Sequence, residues 1–459
     1  MNLNNIGIIL AAGKGSRMKS FIPKPFQILG GEYLLDHVIN SFKKSGIEKI
    51  FIVVSPEISS MAEISDYGKK IQFIIQKNPN GTGDALLKAI RKIKDDCTLV
   101  VAPCDVPLVD SKTIKLMLQR MEELHTKSNV LIGKIEDPFG YGRVLIDKSK
   151  QEIQSIVEQN NLNVSQQSID IINTSWYCFK KDWIKNKLSK IKISNNGEFL
   201  LTDVFNESFN VRETSYTMVK DTKQSIGINS KADLAKAEKA LRDSIIQEHM
   251  ISGVTVIDPS NTYIDSQVII ESDSIIHPGT HIRGDSVIKT KSEIGPNTII
   301  ENSEIDYGAK VVSSHISNSF IGKNSIIGSN SRIRNDSEIE DNCVIGNGAE
   351  IKNSKIGINS KVSHFSYIGD SKLGKNVNIG AGTVTCNYDG KLKHSTFIGD
   401  DVFIGSGTML IAPVKIFSNS RTGAGSVVKN NVKSGETVVG SPAKPISKEN
   451  KKNQDNSNV

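Results

Sequence analysis

The sequence predicts two fold classes in series: an α/β nucleotide-binding domain in the first half and a parallel coil of very short strands in the second. Three observations predict it. An apolar run, Ile6 to Leu10, opens into the small-residue loop Ala11-Ala12-Gly13-Lys14-Gly15-Ser16-Arg17; a second apolar run from Leu99 ends at Asp105; and isoleucines recur every six residues from Ile264 onward. At 459 residues the chain exceeds the size at which one hydrophobic core keeps growing, so at least two domains are expected.

Composition narrows the class further. With 23% charged and 37% hydrophobic residues, the chain reads as an ordinary soluble protein. The apolar run Ile6–Ala12 is too short to span a bilayer and has no basic segment before it, so neither a signal peptide nor a membrane partner is expected. Five scattered cysteines without C-x-x-C spacing point to reduced thiols in a cytoplasm. The net charge of +7 is spread along the chain apart from a small cluster, Lys444 to Lys452, and no nucleic-acid-binding motif accompanies it. Anionic small substrates account for the basic balance.

In the first half, the strand from Ile6 delivers a loop in which backbone N–H groups and a cation can approach phosphates. A dinucleotide fingerprint would need glycine at position 18, where Met18 stands. Gln76 and Gly81-Thr82-Gly83-Asp84-Ala85 form a second loop before a helix through Leu86 and Ala89. Asp105, at the end of a buried strand beside the phosphate loop, is placed to hold a magnesium ion; the alternative is a turn residue before Pro107. From Ser230 to Met250, Leu234, Ala237, Leu241 and Ile245 keep helical spacing behind a Ser230/Asp233 capping box, which predicts a helical linker.

In the second half, Ile264, Ile270, Ile276, Ile282, Ile288, Ile294 and Ile300 hold a spacing of six, resumed from Ile321 to Ile351, with Ser, Thr, Ala or Val often four places after the isoleucine. A period of six suits one short strand plus a turn, three of which close a triangular coil with the aliphatic and the small residue inward. Such a core carries no chemistry, so function belongs where the rhythm breaks or where outward residues converge. The rhythm breaks after Ile379 and is restored at Ile398, leaving Thr385–His394 as a polar loop. Arg334 and Lys352 each follow a core isoleucine one coil apart, about 4.8 Å from each other in a stacked ladder. Stacked like charges call for an anion between them; the alternative is two side chains splayed into water. His364 is outward in this register and suits a general base toward an attacking amine.

Gly13-x-Gly15-x-Arg17 followed by Pro23-Lys24-Pro25 resembles the sugar-nucleotidyltransferase signature, and the repeat over roughly residues 252–440 resembles the hexapeptide, left-handed β-helix family. Together with Ser363-His364-Phe365-Ser366-Tyr367-Ile368-Gly369-Asp370 and Asn378–Gly390, the chain is similar over nearly its whole length to the bacterial bifunctional N-acetylglucosamine-1-phosphate uridyltransferase/glucosamine-1-phosphate acetyltransferases. The resemblance implies an α/β Rossmann-like nucleotidyltransferase domain (1–231), a helical linker (232–252), a left-handed parallel β-helix acetyltransferase domain (253–445) and a basic, disordered tail (446–459).

It implies UTP and sugar contacts at Leu10, Ala11, Ala12, Gly13, Lys24, Gln76, Gly81, Thr82, Gly142, Glu158, Asn173 and Asn229. Magnesium falls to Asp105 and Asn229, and catalysis to Arg17, Lys24 and His364. The sugar phosphate of the acetyl site falls to Arg334, Lys352, Tyr367, Asn378 and Lys393, and acetyl-CoA to Ala381, Asn387, Tyr388, Ser406 and Ala424. A homotrimer is implied, because the family builds each acetyl site across neighbouring coils. Two departures stand out. Cys104 occupies a position where the family usually has glycine, and Ser441 one where many members have arginine, leaving Lys444 or the tail as a coenzyme A contact. The rival reading is a nucleotidyltransferase alone, with the coil serving assembly or regulation.

Overall fold

The computed structural model describes residues 5–61, 67, 71–78, 80–147, 152–191, 199–205 and 213–446, and the chain divides into two compact units, residues 1–241 and 242–459. Most of the predicted tail lies outside the described residues.

Apolar residues on both faces of the first strands dictate a sheet buried on both sides. In β1 (Asn5–Ala11), Ile6 and Ile8 enter one core while Ile9 and Ala11 enter the other. Next follow α1 (Leu34–Lys44), β2 (Lys49–Val54), β3 (Ile71–Ile75), α2 (Thr82–Ile90), β4 (Thr98–Pro103), α3 (Ser111–Glu123) and β5 (Ser128–Lys134). A ribbon of β6 (Arg143–Asp147) and β7 (Glu152–Val157) precedes β8 (Ile171–Lys180), α4 (Lys181–Leu188) and β9 (Thr214–Met218).

The strand order is β9-β5-β8-β4-β1-β2-β3, with β6 and β7 attached through β8. Strands β3, β2, β1 and β4 are mutually parallel, and β8 runs against β4 and β5. The chain leaves β1 for β2 on one side and later returns to β4 on the other. Loops at the carboxyl ends of β1 and β4 therefore part, opening the crevice in which doubly wound sheets bind ligands.

Helix α5 (Lys231–Ile251) begins at the expected capping box: the Asp233 amide donates to Ser230 Oγ at 3.2 Å and the Ser230 amide to Asp233 Oδ2 at 2.9 Å. Ala237 belongs to the core of the first unit and Ile246 to that of the second.

The second unit is a coil of three parallel sheets, in which each two- or three-residue strand pairs with the strand three along until the end, where Arg421–Thr422 pairs with Thr437–Val439 and that strand runs antiparallel to Lys444–Pro445. One inward ladder runs Ile264, Ile282, Ile300, Ile316, Ile333, Ile351, Ile368 in unbroken register. These isoleucines lose essentially all exposure, each contributing about 1.5–3 kcal/mol. The small residues four places on are inward as expected; Ser274, Ser292, Ser325 and Ser360 are wholly buried. Their hydroxyls donate to backbone carbonyls of the next coil, as Ser360 does to Gly374 at 2.9 Å, which offsets the cost of burying a polar group. Corners need the left-handed backbone that asparagine tolerates, and Asn324, Asn342, Asn359 and Asn376 supply it.

One expectation is corrected. The coil does not break after Ile379: Val384–Cys386 is a strand of the second sheet, with Thr385 in the isoleucine place opposite Leu410 and no exposure. Thr385 escapes a pattern search for aliphatics because its hydroxyl is satisfied internally, accepting from the Gly369 amide at 2.8 Å. The extruded loop starts only at Asn387 and ends before Thr396.

Ile333→Ala removes all of the side chain beyond the β-carbon at the middle of the ladder, where rigid neighbours above and below limit collapse. It is expected to cost about 2–5 kcal/mol, read as a lowered urea midpoint of the coil; an unchanged midpoint would show that the ladder repacks freely.

Candidate functional sites

The carboxyl ends of β1 and β4 border a cleft of about 570 Å³ lined by Leu10, Ala12, Gly13, Arg17, Lys24, Gln76, Gly81, Thr82, Asp105 and Asn229, among others. Ten of the residues expected from sequence thus meet in one place. At its centre the Lys24 ammonium bridges Asp105 Oδ2 at 2.5 Å and Asn229 Oδ1 at 3.0 Å, and Arg17 donates to the same Asn229 oxygen at 2.9 Å. Lys24 is delivered by the short 3-10 turn Lys24–Phe26, whose Pro25 and Phe26 are buried. Asn229 is fixed by the start of α5, its amide donating to Asp233 Oδ2 at 3.1 Å. The adjacent Ile228 amide donates to the Asp105 carbonyl at 2.8 Å. That backbone bond joins the two oxygen-bearing segments directly, so neither can move without the other.

Gln76, 4% exposed, donates from Nε2 to the Gly81 carbonyl at 3.2 Å and to Asp84 Oδ2 at 2.7 Å, which presents its amide oxygen to the cleft. Gly81 sits at φ +105, and a β-carbon there would lie 2.4 Å from the Phe199 carbonyl oxygen, so only glycine fits. Thr82 receives the Leu201 amide at 2.9 Å, and the next residue, Thr202, donates to Glu158 at 2.9 Å. Through these bonds Glu158, Gly142 and Asn173 form an adjoining group: the Asn173 amide donates to the Gly142 carbonyl at 2.9 Å, and Glu158 lies over Gly142. That group does not line the cleft itself. Nor does Ala11, whose methyl points into the core under α1.

Cys104 is buried, and burial pushes its thiol up to about 12, so it stays protonated beside Asp105. Its amide donates to the Leu10 carbonyl at 3.2 Å, an ordinary strand contact that needs no glycine. Sequence reasoning missed a second lobe of about 320 Å³, where Phe21, Ile22, Ser55, Pro56 and Glu57 join the Gly13 loop. The signal was the position of Ser55 at the carboxyl end of β2, the parallel neighbour of β1; no charged motif marks it.

Among the described residues no cluster of three or more His, Cys, Asp or Glu could hold a metal. A carboxylate and an amide oxygen, both within 3.0 Å of one cation position, nevertheless fit a hard divalent ion that takes its other ligands from water and phosphates.

On the coil, Arg334 and Lys352 are register partners as expected. Their repulsion is relieved within the chain, however: Arg334 donates to Glu350 Oε1 at 2.9 and 2.7 Å and to Asn335 at 2.9 Å. The argument for an anion passes instead to Lys352 and Lys393, where Lys352 acts on Lys393 strongly enough to push its pKa down. Tyr367 reaches along its strand until its hydroxyl lies 2.5 Å from where a Gly369 β-carbon would be, and the Asn387 side-chain nitrogen lies 2.8 Å from the same point. Gly369 is therefore the gap that admits both. Asn378 leaves from the first sheet of the coil, whereas Arg334, Lys352 and Tyr367 leave from the second.

His364 stands at the corner between those sheets. Ala381–Gly382, Ser406–Gly407 and Ala424–Gly425 occupy the same corner on successive coils: the Gly382 amide donates to the His364 carbonyl, Gly407 to Ala381 and Gly425 to Ser406. Histidine and three of the expected acetyl-CoA contacts thus form one column. His364 Nδ1 accepts from the Asn347 amide at 3.2 Å, which leaves Nε2 as the ring nitrogen without a protein partner among the described residues. Tyr388 is exposed on the extruded loop, which is closed by His394 Nε2 on Asp389 Oδ2 at 2.7 Å.

Comparison with known proteins matches different family models to the two halves of the chain. Residues 7–156 match the model of the MobA-like NTP transferase domain, 315–410 that of the GMPPB C-terminal domain, and 396–430 the hexapeptide repeat of succinyl-transferase. The bifunctional protein GlmU of Syntrophomonas wolfei is 38% identical over 427 residues, covering 93% of this chain and 95% of the relative. That of Clostridium novyi is 38% identical over 435 residues, with 94% and 95% covered. The chain belongs to the GlmU family. Its members are bifunctional uridyltransferases and acetyltransferases, and the relation extends to Acaryochloris marina GlmU, 36% identical with 94% of each chain covered. The hexapeptide coil is accordingly the left-handed β-helix of that family, and its nucleotidyltransferase half depends on a divalent metal. Among the described residues, no helix is long and apolar enough to cross a membrane.

Proposed function

We propose that residues 1–231 carry uridyl transfer, 253–445 carry acetyl transfer, and 232–252 link them. The observation that carries the reading is convergence: Arg17, Lys24, Asp105 and Asn229, separated by up to 212 positions, meet at one point of the cleft. Uridyl transfer is an in-line attack by an oxygen of N-acetylglucosamine 1-phosphate on the α-phosphorus of UTP. It forms one P–O bond and breaks the bond to the departing pyrophosphate. The attacking oxygen is already anionic, so no base is needed, and positioning with charge neutralisation does the catalysis. Arg17 and Lys24 hold fixed positive charge over the phosphates. Gln76, Gly81 and Thr82 select the uracil, while Gly142, Glu158 and Asn173 bind the sugar. Magnesium on Asp105 and Asn229 would neutralise phosphate oxygens when bound. Lys24 spans both of those oxygens, so it would have to turn from them toward phosphate where a divalent ion is bound.

In the second reaction the amine of glucosamine 1-phosphate attacks the acetyl thioester carbon, and coenzyme A leaves as the thiol. Lys352 and Lys393 hold the phosphate, with Arg334, Tyr367 and Asn378 completing the site, and Ala381, Asn387, Tyr388, Ser406 and Ala424 hold acetyl-CoA. His364 accepts the amine proton. For Nε2 to do this the neutral ring must carry its hydrogen on Nδ1 and release the Asn347 amide. A homotrimer is part of the proposal: Asn378 and Lys352 leave different sheets of the coil, an arrangement that fits a site shared between neighbouring subunits. Five free cysteines support a reducing cytoplasm.

The test is an assay with glucosamine 1-phosphate, acetyl-CoA, UTP and magnesium together, each product followed separately. Free thiol, pyrophosphate and UDP-N-acetylglucosamine are all expected; omitting acetyl-CoA should suppress the nucleotide sugar until N-acetylglucosamine 1-phosphate is supplied. Thiol release without pyrophosphate, or the reverse, would reduce the protein to one activity.

A further inference from the structure

Asn353, Asp370 and Asn387 recur at intervals of 17 residues, one coil each, and stack at one corner. Asp370 joins them: its Oδ1 accepts from Asn353 Nδ2 at 2.6 Å and its Oδ2 from Asn387 Nδ2. The corner itself is held by the Asp370 amide, which donates to the Lys352 carbonyl at 3.0 Å. Lys352 and Lys393 both act on the Asp370 carboxylate electrostatically, helping to hold it ionised.

A carboxylate can only accept hydrogen bonds. By taking the Asn387 nitrogen it fixes which end of that amide faces outward. Asn387 is 7% exposed, and its Oδ1 receives no hydrogen bond from any described residue. With its nitrogen over Gly369 and bonded to Asp370, this amide offers an oriented acceptor at the root of the loop that carries Tyr388 and Lys393.

We propose that Asp370 is a positioning residue for acetyl transfer: it turns the Asn387 carbonyl toward an N–H donor of the acetyl donor. The inference rests on the acetyl site proposed above. The two substrates respond differently when the charge is removed. In Asp370→Asn one carbonyl oxygen must serve two amide donors, so Asn387 loses its fixed orientation. The two lysines meanwhile lose a competing anion and hold phosphate at least as well.

The experiment measures both substrates on the full-length protein. Asp370→Asn is expected to lower kcat/KM for acetyl-CoA about tenfold, the size of one charge-assisted hydrogen bond, while KM for glucosamine 1-phosphate stays level or falls. Asn353→Ala, which leaves the Asn387 bond in place, should move kcat/KM for acetyl-CoA less than Asp370→Asn does. A rise in KM for the sugar phosphate, an unchanged kcat/KM for acetyl-CoA, or a lowered melting temperature with both variants equally impaired would overturn the assignment and leave Asp370 a purely structural corner. His364→Ala, measured beside them, separates the failures: acetylation unchanged there sinks the site itself, whatever Asp370 does.

Discussion

Asp105→Ala is expected to cut pyrophosphate release by at least about 10²-fold while acetyl transfer continues at its normal rate. Two losses combine. The first is the carboxylate that a divalent ion needs; Asn229 alone offers one neutral oxygen, too weak to hold magnesium without the negative charge. The second is the partner of Lys24, whose side chain is 10% exposed and whose ammonium then has the Asn229 and cleft dipoles only. A free Lys24 can still reach phosphate, so UTP binding should persist in part while turnover falls. Raising the metal concentration should recover little, because the missing group is a ligand rather than a screening charge. The measurement is metal-dependent pyrophosphate release with acetyl-CoA thiol release as the internal control for folding. Full metal-dependent activity in the variant would place the metal elsewhere in the cleft.

Legibility differed between the halves for a physical reason. In the coil each residue's neighbours are fixed by a repeat of known length, so the inward ladder and the Arg334–Lys352 register followed from spacing. What spacing does not carry is side-chain direction. Glu350 reaches Arg334 across one rung and removes the repulsion expected between the two cations, and Lys393 approaches Lys352 from a loop outside the repeat. Thr385 hid a rung for the opposite reason, a polar residue satisfied inside an apolar ladder. The Asn353–Asp370–Asn387 column was in principle readable, since its interval is one coil.

In the α/β half the long-range meeting of Arg17 and Asn229 has no local signature. Only the parallel order of β1, β2 and β4 brings the loop, the acid and the start of α5 to one sheet edge. Resemblance supplied Asn229, whereas the lobe at Ser55 had neither motif nor resemblance to announce it.

His364→Ala is expected to lower acetyl transfer by about 10²–10⁴-fold, the usual contribution of a general base, with pyrophosphate release unchanged. The residue is exposed at a corner whose backbone is built without its ring: Phe365 donates to the Asn347 carbonyl, and the His364 carbonyl is bonded by Gly382. Deleting the imidazole therefore removes one hydrogen bond, from the Asn347 amide, and a tilted ring contact with Phe365, and leaves the rung intact. The column that continues from it, Ala381, Ser406 and Ala424, is untouched, so KM for acetyl-CoA should change little while kcat collapses. That split separates a base from a binding residue, because a residue gripping the donor would raise KM instead. A base also predicts recovery at high pH, where the amine sheds its proton to water without help. If the variant's rate rises with pH through the range in which the wild-type rate is flat, proton removal is the missing step. A flat, low profile would move His364 from proton transfer to holding the substrate.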